Sequence, residues 1–162
     1  MFDAIRTETP ELTILLRLVL AAGLGAVIGL EREWRDRTAG LRTHMLIALA
    51  AATFTVITFE LYYEFRAAGQ SASADPIRVI EAVTAGVAFL AAGAIIQSRG
   101  EVRGLTTGAG MWLAGSLGVA CGAGYYTVGV MTAVLAVGIL AGLRYVERKI
   151  EDARAEGDRP SG

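Results

Sequence analysis

The sequence predicts an all-α integral membrane protein that crosses the bilayer five times, with its N-terminus outside and its C-terminus in the cytoplasm. Three observations carry that expectation. Of 162 residues, 54% are hydrophobic and only 19% charged, with 20 glycines and a mean hydropathy of +0.49, which excludes a soluble enzyme fold, a disordered chain and a disulfide scaffold. From Gly104 to Leu143, 40 consecutive residues contain no Asp, Glu, Lys, Arg or His; at about 1.5 Å per residue that is about 60 Å of helix, roughly two crossings of a hydrocarbon core of about 30 Å. The basic residues are distributed unevenly about the apolar segments, which sets the orientation.

Residues 1–11 read as a short external segment, residues 12–150 as the membrane domain and residues 151–162 as a short cytoplasmic tail. The first helix spans about 12–30, carries Arg17 and stops at the charged run Glu31 to Arg37. A second spans about 41–65. A third spans about 76–97 and opens at Asp75-Pro76, where Asp is a good N-cap and Pro fits the first helical position. The uncharged cores of these three are 13, 15 and 17 residues (Leu18 to Leu30, Met45 to Phe59, Ala82 to Ser98), so each reaches spanning length only with flanking charges buried or snorkelling. The forty-residue run divides near Gly122-Ala123-Gly124 into a fourth helix over about 105–121 and a fifth over about 125–146, with Tyr125, Tyr126 and Tyr145 as interfacial rings.

Of the 15 basic residues, 11 lie in the loops after the first and third helices or in the tail: Arg32, Arg35, Arg37, Arg42, Arg99, Arg103, Arg144, Arg148, Lys149, Arg154 and Arg159. The opposite side holds only Arg6 and Arg66. The rich side is expected to be cytoplasmic. The N-terminal stretch lacks a basic n-region and a small-residue cleavage site, so the first apolar run reads as a retained helix rather than a signal peptide.

The net charge of −1 gives no field that attracts nucleic acid. One cysteine, Cys121, and one histidine, His44, offer no soft-ligand cluster for a transition metal. Ser116 has no base nearby in the sequence, the glycines form no phosphate-binding loop after a strand, and Glu31 with Glu33 is better explained by ion pairing. No cofactor and no enzymatic activity are expected.

Three sets of residues stand out. Small residues recur at helical spacing at Gly25 and Gly29, at Gly93, along Gly110, Ala114, Gly118 and Gly122, and at Gly138 and Gly142. They let helices approach closely in lipid. In the first and fourth helices we read this as packing within the monomer; in the fifth, a dimer face and internal packing both stand. Arg17 and Glu81 lie at similar depth, about 7 to 9 Å from the outer interface, with opposite charge, and an ionised group there must be paired or wet. With Glu60, Asp75 and Arg78 they form either an outward-facing cation vestibule, with Glu60, Asp75 and Glu81 as candidate metal ligands, or a structural ion-pair network. The hairpin Glu31 to Thr43 is dense in charge of both signs. Gly40 permits a tight turn, and Arg42, Thr43 and His44 then start a helix whose exposed amides could hold an anion or a partner carboxylate. Glu31, Arg32, Arg35, Arg42 and Thr43, with Arg103, Thr106 and Thr107 from the second hairpin, form a candidate cytoplasmic contact or ligand face. The two hairpins look like a repeat: Gly25-Ala26-Val27-Ile28 before Gly40-Leu41-Arg42-Thr43, and Gly93-Ala94-Ile95-Ile96 before Gly104-Leu105-Thr106-Thr107.

The motifs Gly29-Leu30-Glu31-Arg32-Glu33, Ala39-Gly40-Leu41-Arg42-Thr43-His44, Asp75-Pro76 with Arg78-Val79, Phe89-Leu90 with Ala92 to Ile96, Val102 to Thr107 and Trp112 occur in order over about residues 12–126. In this the chain resembles the MgtC/SapB family of bacterial inner-membrane proteins. The resemblance implies a five-helix membrane domain with an outside N-terminus, factors for growth at low magnesium and for survival of pathogens in phagocytes, and, for one member, inhibition of the rotary F-type ATP synthase through its membrane part. Two departures stand out: the family's glycine-rich pattern on the third helix is here Gly86-Val87-Ala88-Phe89-Leu90-Ala91, and the regulatory-type soluble C-terminal domain of the virulence-associated members is not expected after Lys149.

Two functions follow. The first is a regulatory or interaction protein, dimeric, that binds another membrane complex such as the ATP synthase membrane part and acts in magnesium limitation. The alternative is a small transporter or channel for Mg²⁺ or another cation, built on hydrated carboxylates. A transporter needs a wet polar path across the bundle, and between Gly104 and Leu143 only Thr, Ser and backbone offer one, which favours interaction.

Overall fold

The computed structural model describes residues 7–69, 75, 77–98 and 101–157. In chain order it contains α1 (Glu11–Glu33), α2 (Leu41–Ala67), α3 (Ile77–Ala94), β1 (Ile96–Ser98), β2 (Glu101–Arg103), α4 (Leu105–Gly122) and α5 (Tyr126–Gly157). Arg6, Pro76, Arg99 and Arg159 lie outside the described residues.

Local chemistry accounts for the helix ends. The Pro10 carbonyl accepts the N–H groups of Thr13 and Ile14 and starts α1. That helix closes through Asp36, whose left-handed conformation (φ 48°) brings the Arg37 N–H onto the Arg32 carbonyl, a closure more often made by Gly. Asp75 caps α3: its Oδ1 accepts the Ile77 N–H at 2.9 Å. Gly124, at φ +86°, ends α4 by letting the Tyr125 N–H reach the Ala120 carbonyl.

The bundle is built with small residues inside and large ones outside. Ala21, Ala48, Ala51, Ala52, Ala114 and Ala133 are buried, whereas Leu12, Leu16, Phe54, Phe89, Val134, Leu135 and Ile139 face outward. A soluble protein would be destabilised by so much exposed apolar surface; a lipid-facing bundle requires it, because close backbone packing holds its helices together. The seams show that packing. A β-carbon at Gly25 would lie 2.6 Å from the His44 carbonyl oxygen, and one at Gly29 would lie 2.7 Å from Leu41 Cα, so α1 rests directly on the α2 backbone. On the other side of α2, a β-carbon at Gly118 would strike the Ala48 carbonyl, and one at Gly122 would lie 2.7 Å from that of Ala52.

Two expectations are corrected here. Five helices form, but only four are long and apolar enough to cross a membrane among the described residues: α1, α2, α3 and Tyr126–Leu143 of α5. The fourth helix of the sequence is not, and five crossings with termini on opposite sides do not stand. The reason is composition. Five glycines, two threonines and a serine fill α4, and ten of its 18 residues are buried against the neighbouring helices, so most of its surface meets protein. The second correction concerns the third helix, which ends at Ala94 instead of running to Gln97. Ile96 to Ser98 pairs antiparallel with Glu101 to Arg103, Ile96 opposite Arg103 and Gln97 opposite Val102. Gly104 then turns the chain into α4 at φ +91°, where a β-carbon would collide with the Ala94 carbonyl.

Candidate functional site

The motif residues of the first hairpin converge on α4 at one end of the bundle. Arg32, on the last turn of α1, is 3% exposed. Its Nη2 donates to Thr107 Oγ1 at 3.0 Å, which ties α1 to the first turn of α4. Its Nη1 lies 3.9 Å from Glu31 Oε2, and the Glu31 carboxylate is ion-paired to Arg35 one turn on. Removing two or three charges from water is expensive unless they are mutually paired, and this arrangement pairs them only in part. Arg32 Nε, both Glu31 oxygens and His44 Nε2 are buried without a hydrogen-bond partner among the described residues.

His44 is fully buried on the first turns of α2. Its Nδ1 lies 2.8 Å from the Gly40 carbonyl; a carbonyl only accepts, so Nδ1 carries the proton and Nε2 is left as an acceptor. That Nε2 faces Gly110 of α4, where a β-carbon would come to 3.0 Å. The missing side chain at Gly110 is what makes room for the imidazole.

Two of the amides at the start of α2, where an anion was expected, are engaged by the chain itself, His44 N–H by the Gly40 carbonyl and Leu41 N–H by Glu33. Glu33 Oε2 accepts the Leu41 N–H at 2.9 Å, and a β-carbon at Gly40 would push that carboxylate aside. The contact face expected at this end is therefore divided. Glu31, Arg32 and Thr107 are internal, Arg35 and Thr43 are half-buried, and Arg42, Arg103 and Thr106 remain exposed. Trp34, which the sequence does not single out, is 84% exposed where the chain leaves α1. A bulky aromatic immediately after a charged helix end was the available signal.

At the other end the expected intramembrane cluster does not assemble. Arg17 finds α4 and α5 instead of Glu81: its Nη1 donates to the Gly122 carbonyl at 2.9 Å and its Nε to Tyr126 Oη at 3.3 Å. Glu60 Oε2 accepts the Glu8 N–H at 2.6 Å and its Oε1 accepts the Thr9 N–H at 3.1 Å. Asp75 is the α3 cap, while Arg78 and Glu81 are exposed on α3. The helix contacts explain this: α3 packs on α4 and marginally on α2, and is not a neighbour of α1. No group of three or more His, Cys, Asp or Glu among the described residues is placed to hold a metal ion.

The small residues divide in the same way. Gly25, Gly29 and Gly118 are packed against backbone, whereas β-carbons at Gly93, Gly138 and Gly142 would meet nothing within 4 Å.

Residues 18–149 match the model of the MgtC family. "Protein MgtC" of Brucella abortus (strain 2308) is 38% identical over 128 residues, covering 79% of this chain and 50% of that protein. An uncharacterized protein of Synechocystis, slr0014, is 35% identical over 121 residues, 75% of this chain and 48% of its own length. The Escherichia coli K12 protein named "Putative magnesium transporter YhiD" is 34% identical over 126 residues, 78% and 58% of the two chains. This chain thus spans about half the length of the curated relatives it matches. No solved structure matches it. With the family model covering most of its length, the chain is a polytopic membrane protein that belongs to the MgtC family.

Proposed function

We propose that this protein is a regulatory, interaction-type component of the bacterial inner membrane that acts by docking on another membrane complex. Its contact surface is the Arg42, Arg103, Thr106 and Trp34 face, its candidate partner is the membrane part of an F-type ATP synthase, and its setting is adaptation to limiting magnesium. The observation that carries this reading is the closed seam: α1, α2 and α4 meet backbone to backbone at Gly25, Gly29, Gly118 and Gly122, which leaves no width for a hydrated ion. The carboxylates add support, because Glu60, Asp75 and Glu81 are separately engaged or separately exposed, and a bound Mg²⁺ would call on several oxygens together.

A cation transporter is the rival reading, and the name of the Escherichia coli relative favours it. Mg²⁺ flux into proteoliposomes holding purified protein and a trapped Mg²⁺-sensitive dye separates the two. Flux no greater than in empty vesicles, for folded and inserted protein, is expected; flux that falls in Glu81→Gln would replace the interaction reading. Site-specific crosslinking from positions 42 and 103 then identifies the partner, and loss of the crosslink in Arg42→Glu is expected if the face is the docking surface.

A further inference from the structure

An open pocket of about 700 Å³ lies between the start of α1 and the end of α2, at the Arg17 end of the bundle. Glu8, Thr9, Thr13, Arg17, Tyr63 and Arg66 supply its polar lining. Neither guanidinium forms an ion pair with a carboxylate among the described residues. Arg17 is held in place by two neutral acceptors, the Gly122 carbonyl and the Tyr126 hydroxyl, so its orientation is fixed and its charge is not cancelled. Three of its five N–H groups remain for another acceptor. The side chain of Arg66 makes no hydrogen bond or ion pair to a described residue. Glu60 stands close by but directs its carboxylate at the Glu8 and Thr9 amides and does not line the pocket. Two guanidiniums and one carboxylate, Glu8, therefore line the pocket, with Thr13 and Tyr63 in its wall and the Glu60 carboxylate engaged behind it.

We propose that this pocket binds a phosphate ester anion, of the kind an anionic phospholipid headgroup presents. Planar guanidinium forks match phosphate oxygens better than any other side chain does. A lipid is the source that the surroundings fit: the outward face of α1 begins at the pocket with exposed Leu12, Leu16 and Val19, so an acyl chain can lie along it while the phosphate sits at Arg17. The groups at this pocket with hydrogen-bonding capacity left open are thus guanidiniums, not a convergent set of carboxylates. This site is independent of the docking face at the other end of the bundle.

The test uses the purified chain in neutral detergent with two probes, phosphatidylglycerol and inorganic phosphate, read by native mass spectrometry and by the shift in melting temperature. Phosphatidylcholine of the same acyl chains is the control lipid, since its choline cancels the phosphate charge. Phosphatidylglycerol should bind about tenfold more tightly than phosphatidylcholine. Arg66→Gln should weaken it about tenfold, the scale of one charge-assisted hydrogen bond, and Arg66→Lys should restore part of the loss. Arg37→Gln, an exposed arginine at the opposite end, should change nothing. Response of inorganic phosphate alone to Arg66→Gln would keep the anion site and make its ligand a soluble phosphate ester rather than a lipid. If neither probe responds to Arg66→Gln, or if phosphatidylcholine binds as well as phosphatidylglycerol with no effect of inorganic phosphate, the proposal fails. Arg66 is exposed, so loss of folding does not confound the variant; circular dichroism checks that helicity is retained.

Discussion

The bond from Arg32 to Thr107 joins two side chains of α1 and α4 at the motif end of the bundle, and it can be measured by a double-mutant cycle. Thr107→Val keeps the shape and removes the acceptor. A hydrogen bond to a charged group contributes about 1.5–3 kcal/mol in water-exposed systems, whereas side-chain bonds between helices in a membrane protein average about 0.6 and reach about 1.7 kcal/mol. Arg32 is 3% exposed, but it lies on the last turn of α1, so we expect Thr107→Val to cost about 1–2 kcal/mol. Removing one partner of a buried pair costs about 3–5 kcal/mol when the other is left uncompensated. In Arg32→Met, Glu31 keeps Arg35 and the burial cost of one cation disappears, so about 2 kcal/mol is expected. The double variant should be barely less stable than Arg32→Met alone, giving a coupling of about 1 kcal/mol or more. Reversible unfolding in mixed detergent and SDS micelles reads all four proteins. Strict additivity, with Thr107→Val costing its full amount in both backgrounds, would show that the two side chains do not interact.

The remaining expectations follow from the packing. Gly25→Val and Gly118→Val should each destabilise by about 1–3 kcal/mol or prevent folding, because both positions abut backbone, while Gly138→Val and Gly142→Val should leave the melting temperature nearly unchanged; a change in their oligomeric state by light scattering would assign that face to a dimer contact. Gly40→Ala should cost about 1 kcal/mol by displacing the Glu33 cap, and the same substitution in a Glu33→Ala background should add almost nothing in thermal melts. Arg17→Met leaves the Gly122 carbonyl and the Tyr126 hydroxyl without this donor and should lower stability by about 1–3 kcal/mol, whereas Arg17→Lys should recover part of that loss.

What the sequence disclosed depended on whether a property is one-dimensional. Apolar segments, their order and the Asp75 cap are read along the chain. The error in the fourth segment came from equating absence of charge with apolarity: Gly104 to Leu143 is uncharged throughout, yet its first half is glycine, threonine and serine as much as leucine and valine. The β-hairpin was hidden because Ile95 and Ile96 continue an apolar run in either conformation, and periodicity over so few residues does not separate helix from strand.

Pairing, in contrast, depends on direction around a helix axis as well as on depth. Arg17 and Glu81 share a depth along their helices, but α1 faces α2 and α4 while α3 lies across α4, so the arginine found a backbone carbonyl and a tyrosine instead. The same limit applies to the glycines, since Gly25–Gly29 and Gly138–Gly142 have identical spacing and only the first pair is pressed against a neighbour. At the motif end, polarity was read as exposure, and the structure separates the two: Arg32, Glu31, Thr107 and His44 are buried because the hairpin folds inward over the start of α4. Their charge pattern is thus explained by assembly of α1, α2 and α4, whereas Arg42, Arg103, Thr106 and Trp34 are left at the surface.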